Sequence, residues 1–317
     1  MQSIDNQNKI TIAVVMATYN GAQFIAQQLD SILKQKIDDF YINIYISDDS
    51  SIDDTWGIIS AYESSCSNIK IVLNESDHGP ANNFINALRL TNDEQYYIFA
   101  DQDDVWFDTK VACLYRAAEQ KMDNYKPGLV YCNAEVNDKT LSKCHKNLYE
   151  SNYKQVNNFN DLLFMNGGVQ GASMIINKKM KLEILSYRSY IYMHDQLATY
   201  LGVLHNNIFY IPNVLMNYRQ HDNNVIGSNV GFINKFKKLI TTPLLNEKSC
   251  QFIFGFCKTY SNLIPDRDFI KLKLVSNIEN SGRKLLFMAI YNDIKINGSR
   301  MQLIIKIFLK TLFFKVN

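Results

Sequence analysis

The sequence predicts an α/β protein: a mostly parallel sheet with helices on both faces, followed by a basic helical extension. Two observations carry this reading. Short β-branched apolar runs alternate with segments of helical periodicity through the first half, and the composition turns basic near residue 230. "KITIAVVMA" (9–17) reads as a buried strand, and Phe24, Ile25, Leu29, Ile32 and Leu33 follow at helical spacing. "YINIYIS" (41–47) is a second strand and "DDTWGIISAY" (53–62) a helix with Asp53 or Asp54 near its N-cap. "IKIVLN" (69–74) is a strand, and "PANNFINALRL" (80–90) a helix opening on Pro80, whose fixed φ suits a first turn. "QYYIFA" (95–100) is the fourth strand, "DTKVACLYRAAEQ" (108–120) a helix and "GLVYCNAEV" (128–136) a strand. Residues 137–160 are polar and irregular; "GGVQGASMIIN" (167–177) is a Gly-rich turn feeding a strand. "HDQLATYLGVL" (194–204) reads as a helix and "NIFYIP" (207–212) as a strand. The expected division is 1–228 as the ligand-binding domain and 229–317 as the extension.

The 317 residues are 47% hydrophobic and 20% charged, enough to bury a large core. The net charge of +2 conceals an asymmetry. From Phe232 onward 15 Lys and Arg face 5 Asp and Glu, giving +10, and the preceding residues carry −8. The six cysteines form no CxxC or zinc-like spacing, so reduced thiols are expected. The first residues lack the basic region of a signal peptide, and no run reaches the ~18–20 apolar residues of a membrane span. A cytoplasmic location, without nucleic-acid partners, is expected. The first strand is followed by neither GxGxxG nor a P-loop, which argues against dinucleotide dehydrogenases and NTPases.

Ligands of open α/β sheets bind beyond the carboxyl ends of the strands. Four strand ends here carry polar clusters: "TYNG" (18–21), "SDDSSIDD" (47–54), "NESDHGP" (74–80) and "DQDD" (101–104). Carboxylates crowded as in "DQDD" repel one another unless a hard cation, Mg2+ or Mn2+, takes their oxygens. The plainer reading is a solvated turn, with Asp104 or Asp108 capping the next helix. Asp48 and Asp49 have an equally plain reading as turn residues.

"ATYNG", "SDDSSIDDT", "ADQDDVW", the Gly-rich turn, "HD" and "YRQHDNNVIG" occur in the order that resembles family-2 glycosyltransferases of the GT-A fold, over about residues 10–228. Among these it is most similar to rhamnosyltransferase-like members that build bacterial surface polysaccharides. The resemblance implies an inverting transfer of a sugar, rhamnose-like or another hexose, from a dTDP- or UDP-sugar to a glycan or lipid-linked acceptor of capsule or O-antigen type. It implies a Mn2+ or Mg2+ cofactor. Thr18 and Tyr19 would contact the base, Asp49 would accept a pyrimidine N3–H, and Asn20 and Asp48 would be further donor contacts. Asp101 would lie near ribose and donor sugar. Asp103 would bind the metal with His221 as second ligand, and Asn224 is a further candidate. Arg219 would pair with diphosphate oxygens. Asp195 matches the family's general base, with His194 orienting it or touching the acceptor; Gly167, Gly168 and Gly171 would let backbone approach the sugar. Without the resemblance, Asp195 reads as a carboxylate favoured at a helix N-terminus, His221 as a surface residue and the glycines as a tight turn.

Two positions depart from the family pattern: Ser50 stands where Gly is common, and Gln196 and Leu197 follow "HD" where an aromatic is common. A sugar nucleotidyltransferase is the rival enzyme, but it needs a basic loop after the first strand, and "ATYNGAQF" has no Lys or Arg. A catalytically inactive GT-A scaffold is the non-enzymatic rival. In the tail, "MQLIIKIFLKTLFFK" (301–315) spaces Gln302, Lys306 and Lys310 four apart, a narrow polar stripe on an apolar helix. It fits peripheral contact with the inner face of an anionic membrane, and equally a helix packed on the body or on a second copy.

Overall fold

The computed structural model describes residues 9–36, 40–75, 77–142, 144–149, 155–220, 244–277, 284, 286–287, 289–290 and 300–313. The strands are β1 Ile10–Thr18, β2 Phe40–Asp48, β3 Ile69–Leu73, β4 Tyr96–Ala100, β5 Val105–Trp106, β6 Leu129–Asn137, β7 Cys144–Asn147, β8 Met174–Asn177 and β9 Ile208–Arg219. The helices are α1 Ile25–Leu33, α2 Thr55–Ser65, α3 Pro80–Leu90, α4 Lys110–Lys121, α5 Phe159–Leu162, α6 Lys178–Ser186 and α7 His194–Leu204, then α8 Glu247–Thr259, α9 Asp266–Ser276 and α10 Arg300–Phe313. The strands join one sheet in the order β3-β2-β1-β4-β8-β6-β9-β5, with β7 on β6.

The first four strands pair in parallel, β2 and β4 flanking β1. β1 shows why its run is continuously apolar: both faces are covered. Ile12, Val14 and Met16 pack with Ile25 and Leu29 of α1 and Leu114 of α4. Ala13 and Val15 turn the other way, to Phe84 and Leu88 of α3 and Leu201 of α7. Every carboxyl end of this parallel half therefore opens on one edge. β8 then enters antiparallel between β4 and β6, and β9 runs parallel to β6.

The expected strands and helices of the first half are present, and α3 and α7 keep the expected bounds. Pro80 stands in the first turn of α3. Asp54 is the α2 N-cap residue, but the capping oxygen comes from Asp53, which accepts the Thr55 N–H at 3.0 Å. β9 extends seven residues past Pro212, where a strand end was expected. Its register against β6 shifts between Tyr131 and Asn133, opposite Pro212, so no ladder N–H is required there. The polar stretch 137–160 is less irregular than expected. It holds β7 and a capping box, in which Asn158 and Asp161 satisfy each other's N–H groups at the start of α5.

The 228/229 boundary falls outside the described residues. α8 and α9 pack on the body: Phe252 and Phe256 meet the Tyr200 ring of α7 at 5.1 and 5.2 Å. α10 buries Leu303 and Ile307 in the same cluster and leaves Met301, Ile305 and Phe308 exposed. Among the described residues no helix is long and apolar enough to cross a membrane.

Candidate active site

The strand ends converge on a cleft of about 1030 Å³. Thr18, Tyr19, Asn20, Asp49, Asp101, Asp103, Gly167, Gly168, Gly171, His194 and Asp195 all line it, so eleven expected site residues from five segments of the chain meet in one place.

The first wall is built by hydrogen bonds among loops. Buried Asp48 accepts from Thr18 Oγ1 at 2.7 Å, Ser51 N at 2.8 Å and Ser51 Oγ at 2.7 Å. Its oxygens thus shape the loop, and it does not reach the cleft as expected of a donor contact. Asn20, in the left-handed region at φ 48°, accepts the Ile52 N–H through its side chain at 2.9 Å. Ser50 is also left-handed, at φ 64°. The turn therefore takes a shape suited to the glycine common in the family, at a cost of about 1 kcal/mol for a side chain.

Asp49 is aimed into the cleft by three partners. Oδ1 accepts from Asn74 Nδ2 at 2.8 Å and lies 2.8 Å from His78 Nδ1, while Oδ2 accepts the Gly79 N–H at 2.8 Å. Burial pushes this carboxyl up, but the Gly79 N–H, His78 and Asn74 outweigh it and hold it below the usual range. Asp49 is thus an ionised acceptor beside the Tyr19 ring, which is 55% exposed and offers an open stacking face.

The acidic loop lies across the cleft. Asp101 accepts from Gln170 Nε2 at 3.1 Å, and its main-chain oxygen accepts from Gln28 Nε2 at 2.9 Å. Burial and repulsion by Asp103 and Asp195 push its carboxyl well above the usual range. Asp104 is not the helix cap it was expected to be, and neither is Asp108. The α4 N-cap is Thr109, Asp108 pairs with Lys36 at 2.8 Å, and Asp104 is fully buried. One Asp104 oxygen accepts the Arg219 N–H at 3.2 Å and the other has no partner. Burial, Asp101 and Asp103 push it well up. Beneath the loop lies buried Lys110, whose Nζ donates to the Ala172 carbonyl at 2.6 Å and sits 3.8 Å from the Trp106 ring centroid. Burial draws this ammonium down to about 8.

Arg219 departs from its expected role. It is 3% exposed and is not among the residues lining the cleft. Nε donates to the Asp103 carbonyl at 2.7 Å, Nη2 to Gln27 Oε1 at 2.7 Å and Nη1 to the Lys139 carbonyl, with Phe24 under the guanidinium. The planar fork bolts the acidic loop from behind. Arg219→Lys keeps the charge but cannot reproduce the fork. It is expected to lower unfolding stability by about 2 kcal/mol, measured by urea denaturation. His221 and Asn224 lie outside the described residues.

Asp195 stands in the first turn of α7, as its plain reading had it, and also on the cleft. Oδ2 accepts the Gly171 N–H at 3.3 Å and Oδ1 has no partner. Burial pushes the carboxyl to about 6, near the range wanted of a general base. His194 is stacked on Phe84 at 3.9 Å and meets Phe99 at 4.5 Å, and neither ring nitrogen has a partner. It therefore does not orient Asp195 by a hydrogen bond, and burial lowers it to about 3, so it is neutral. Gly168 and Gly171 serve close packing under α7. A Cβ would lie 2.4 Å from the Asp195 carbonyl at one and 2.7 Å from His194 Nε2 at the other. Gln196 and Leu197, where the family often has an aromatic, are buried in the core and do not shape the cleft.

Sequence reasoning missed Gln102, Gln170 and Tyr218 on the cleft wall and Lys110 below it. Burial and the carboxylates of Asp101, Asp104, Asp103 and Asp195 hold the Tyr218 phenol far above its ordinary value, so it remains a neutral O–H donor. The signal available for Lys110 was a lone cation beside Val111 and Leu114 on the buried face of α4.

The open Tyr19 ring with Asp49, the acidic loop and the raised carboxylate of Asp195 thus line one cleft at the strand ends of the sheet. The chain belongs to glycosyl transferase family 2, whose family model matches residues 13–181, and it is a glycosyltransferase. The dTDP-rhamnosyl transferase RfbG of Shigella flexneri is 32% identical over 242 residues, 71% of this chain and 78% of that protein. The UDP-Glc:alpha-D-GlcNAc-diphosphoundecaprenol beta-1,3-glucosyltransferase WfaP of Escherichia coli is 35% identical over 101 residues, 32% of this chain and 38% of its own length. Among solved structures, S. aureus TarS 1-349 in complex with UDP-GlcNAc aligns with a TM-score of 0.54 at 16% identity, covering 88% of this chain and 81% of that one. The mannosyltransferase PcManGT from Pyrobaculum calidifontis, in complex with GDP-Man and Mn2+, aligns with a TM-score of 0.56 at 14% identity, covering 98% and 89%. The fold is accordingly GT-A, a mixed sheet flanked by helices.

Proposed function

We propose that the protein is an inverting glycosyltransferase that moves a sugar from a nucleoside-diphosphate donor to a hydroxyl of a glycan or lipid-linked acceptor in cell-surface polysaccharide synthesis. The observation that carries the reading is the convergence of Tyr19 and Asp49, the Asp101–Asp103 loop, and Asp195 on one cleft. The base stacks on Tyr19, and ionised Asp49 accepts a pyrimidine N3–H. Asp101 lies at the ribose and donor sugar. Asp195 takes the proton of the attacking hydroxyl, and inversion is proposed from the family resemblance and from Asp195 as the one base assigned to the site.

The acidic loop fits a divalent cation by its donor chemistry. It offers hard carboxylate oxygens, and burial together with their mutual repulsion raises Asp101 and Asp104. Among the described residues no group of three or more His, Cys, Asp or Glu is arranged to hold a metal ion. Mg2+ or Mn2+ commonly binds through one or two carboxylates together with substrate phosphates. Asp103 is the proposed ligand, and His221, which lies outside the described residues, is proposed as the second. When bound, the ion supplies positive charge to the departing diphosphate. The chain's own contribution is to fix the Asp103 main chain through Arg219 and to present Tyr218 as a neutral donor nearby.

The rhamnosyl and glucosyl relatives support dTDP-rhamnose and UDP-hexoses as the donors to test, and the diphosphoundecaprenol relative supports a lipid-linked acceptor. A cytoplasmic enzyme resting on the inner face of the membrane agrees with α10. Its exposed Met301, Ile305 and Phe308 recur at i, i+4 and i+7, and no acidic residue follows Asp293. A thermal-shift screen of nucleotide-sugars with and without Mn2+ tests the reading. The expected result is stabilisation by a pyrimidine-diphosphate sugar that grows with Mn2+; stabilisation by none of them contradicts it.

A further inference from the structure

The last registered pair between β1 and β4 is Met16 with Ala100, after which the strands part. The amide of Gln102 bridges the gap. The Tyr19 N–H donates to Gln102 Oε1 at 2.9 Å, and Gln102 Nε2 donates to the Tyr19 carbonyl at 2.9 Å. One side chain thus takes both main-chain groups of one residue, as a neighbouring strand would. Gly21 makes room for it: a Cβ there would lie 2.2 Å from Gln102 Oε1 and 2.5 Å from its Cδ. On its other side the same loop is tied to the second strand end, Asn20 N to Ser51 Oγ at 2.8 Å and Gly21 N to Thr55 Oγ1 at 2.8 Å. The Tyr19 ring is 55% exposed, so core packing does not fix it and its placement depends on these backbone ties.

We infer that Gln102 is a positioning residue that joins the Tyr19 loop to the acidic loop, so that a ligand at either end orders the other. The inference rests on the proposed donor site. Its physical basis is that two sites sharing one joint share its ordering cost. The first ligand to bind meets that cost, and the second binds more tightly for it. The effect is reciprocal: a cation at Asp103 strengthens nucleoside binding by the same factor as a nucleoside strengthens cation binding. A cation that touched only the phosphates would have no such effect on a ligand lacking them.

This difference supplies the test. Uridine and thymidine, which carry no phosphate, are titrated into the full chain with and without Mn2+ by NMR or calorimetry, and UDP and dTDP are titrated in parallel. In the unmodified protein Mn2+ is expected to tighten nucleoside binding about fivefold or more. Gln102→Met, close in shape but without the two hydrogen bonds, is expected to remove that gain. Gly21→Ala, which pushes the amide away from the opposite side, is expected to do the same. Gln102→Glu retains the acceptor for the Tyr19 N–H, loses the donor to its carbonyl, and is expected to retain only part of the gain. Nucleoside affinity indifferent to Mn2+ in the unmodified protein overturns the inference, and leaves the donor site standing if the diphosphates still bind. A full Mn2+ effect in folded Gln102→Met or Gly21→Ala also overturns it. If neither nucleosides nor diphosphates bind the unmodified protein, the donor site falls and the inference with it.

Discussion

Asp195→Asn is expected to leave nucleotide-sugar binding within about twofold of the unmodified protein and to lower transfer by about 10²- to 10⁴-fold, the usual contribution of a general base. The substitution preserves shape and an acceptor for the Gly171 N–H, so the glycine turn under α7 is not disturbed. It removes only the capacity to take a proton. Steady-state kinetics together with donor titration separate the two effects; near-native turnover would remove Asp195 as the base. The pH profile supplies a second check. Burial pushes this carboxyl up to about 6. Below that pH it is protonated and cannot accept the acceptor's proton, and above it the ionised form predominates. Activity should therefore fall as pH drops through about 6, and a cation bound at the neighbouring carboxylates should move the acidic limb lower. The residual activity of Asp195→Asn should lack that limb.

Asp103→Ala is expected to abolish the metal-dependent part of nucleoside-diphosphate binding. Calorimetry of UDP or dTDP should show Mn2+ strengthening binding by about tenfold or more in the unmodified protein and not at all in the variant. The same substitution should not destabilise the fold. Burial first, and repulsion by Asp103 with it, raises Asp101 and Asp104, so removing Asp103 relieves part of the repulsion within the loop. An unchanged or higher Tm with loss of metal-linked binding is the pattern of a functional carboxylate kept at a cost to stability. A variant that retains the full Mn2+ effect would move the metal away from Asp103.

The parallel half of the fold was legible because its strands are buried on both faces and its helices are amphipathic; continuous β-branched runs alternate there with 3.6-residue periodicity. The polar clusters at the strand ends located the cleft for the same reason, since a buried strand delivers whatever follows it to one edge. Elements whose signal is tertiary stayed hidden. β5 is two residues held by pairing with Met216 and Asn217, and β8 is four residues inserted antiparallel between distant strands. Arg219 and Asp48 show the limit within the site. A cation and a carboxylate next to the polar strand ends read as ligand contacts, but their partners are loop atoms, Asp103 O and Gln27 for one and Thr18 and Ser51 for the other. Asp104 shows the reverse. A residue that reads as a solvated cap is buried with Lys110 close below it, because the turn after β4 folds under the strand ends. Sequence spacing cannot tell a side chain that faces the cleft from one that faces the scaffold.

We propose that this cleft takes a nucleoside-diphosphate sugar with its base on the Tyr19 wall and its diphosphate at the acidic loop. A crystal structure with Mn2+ and the diphosphate that most stabilises the protein tests it directly. The expected structure has the base against Tyr19 with its N3–H on Asp49, and Mn2+ and the diphosphate at Asp103, within reach of Asp195. A nucleotide bound elsewhere, or bound here with its phosphates turned away from Asp103, would contradict it.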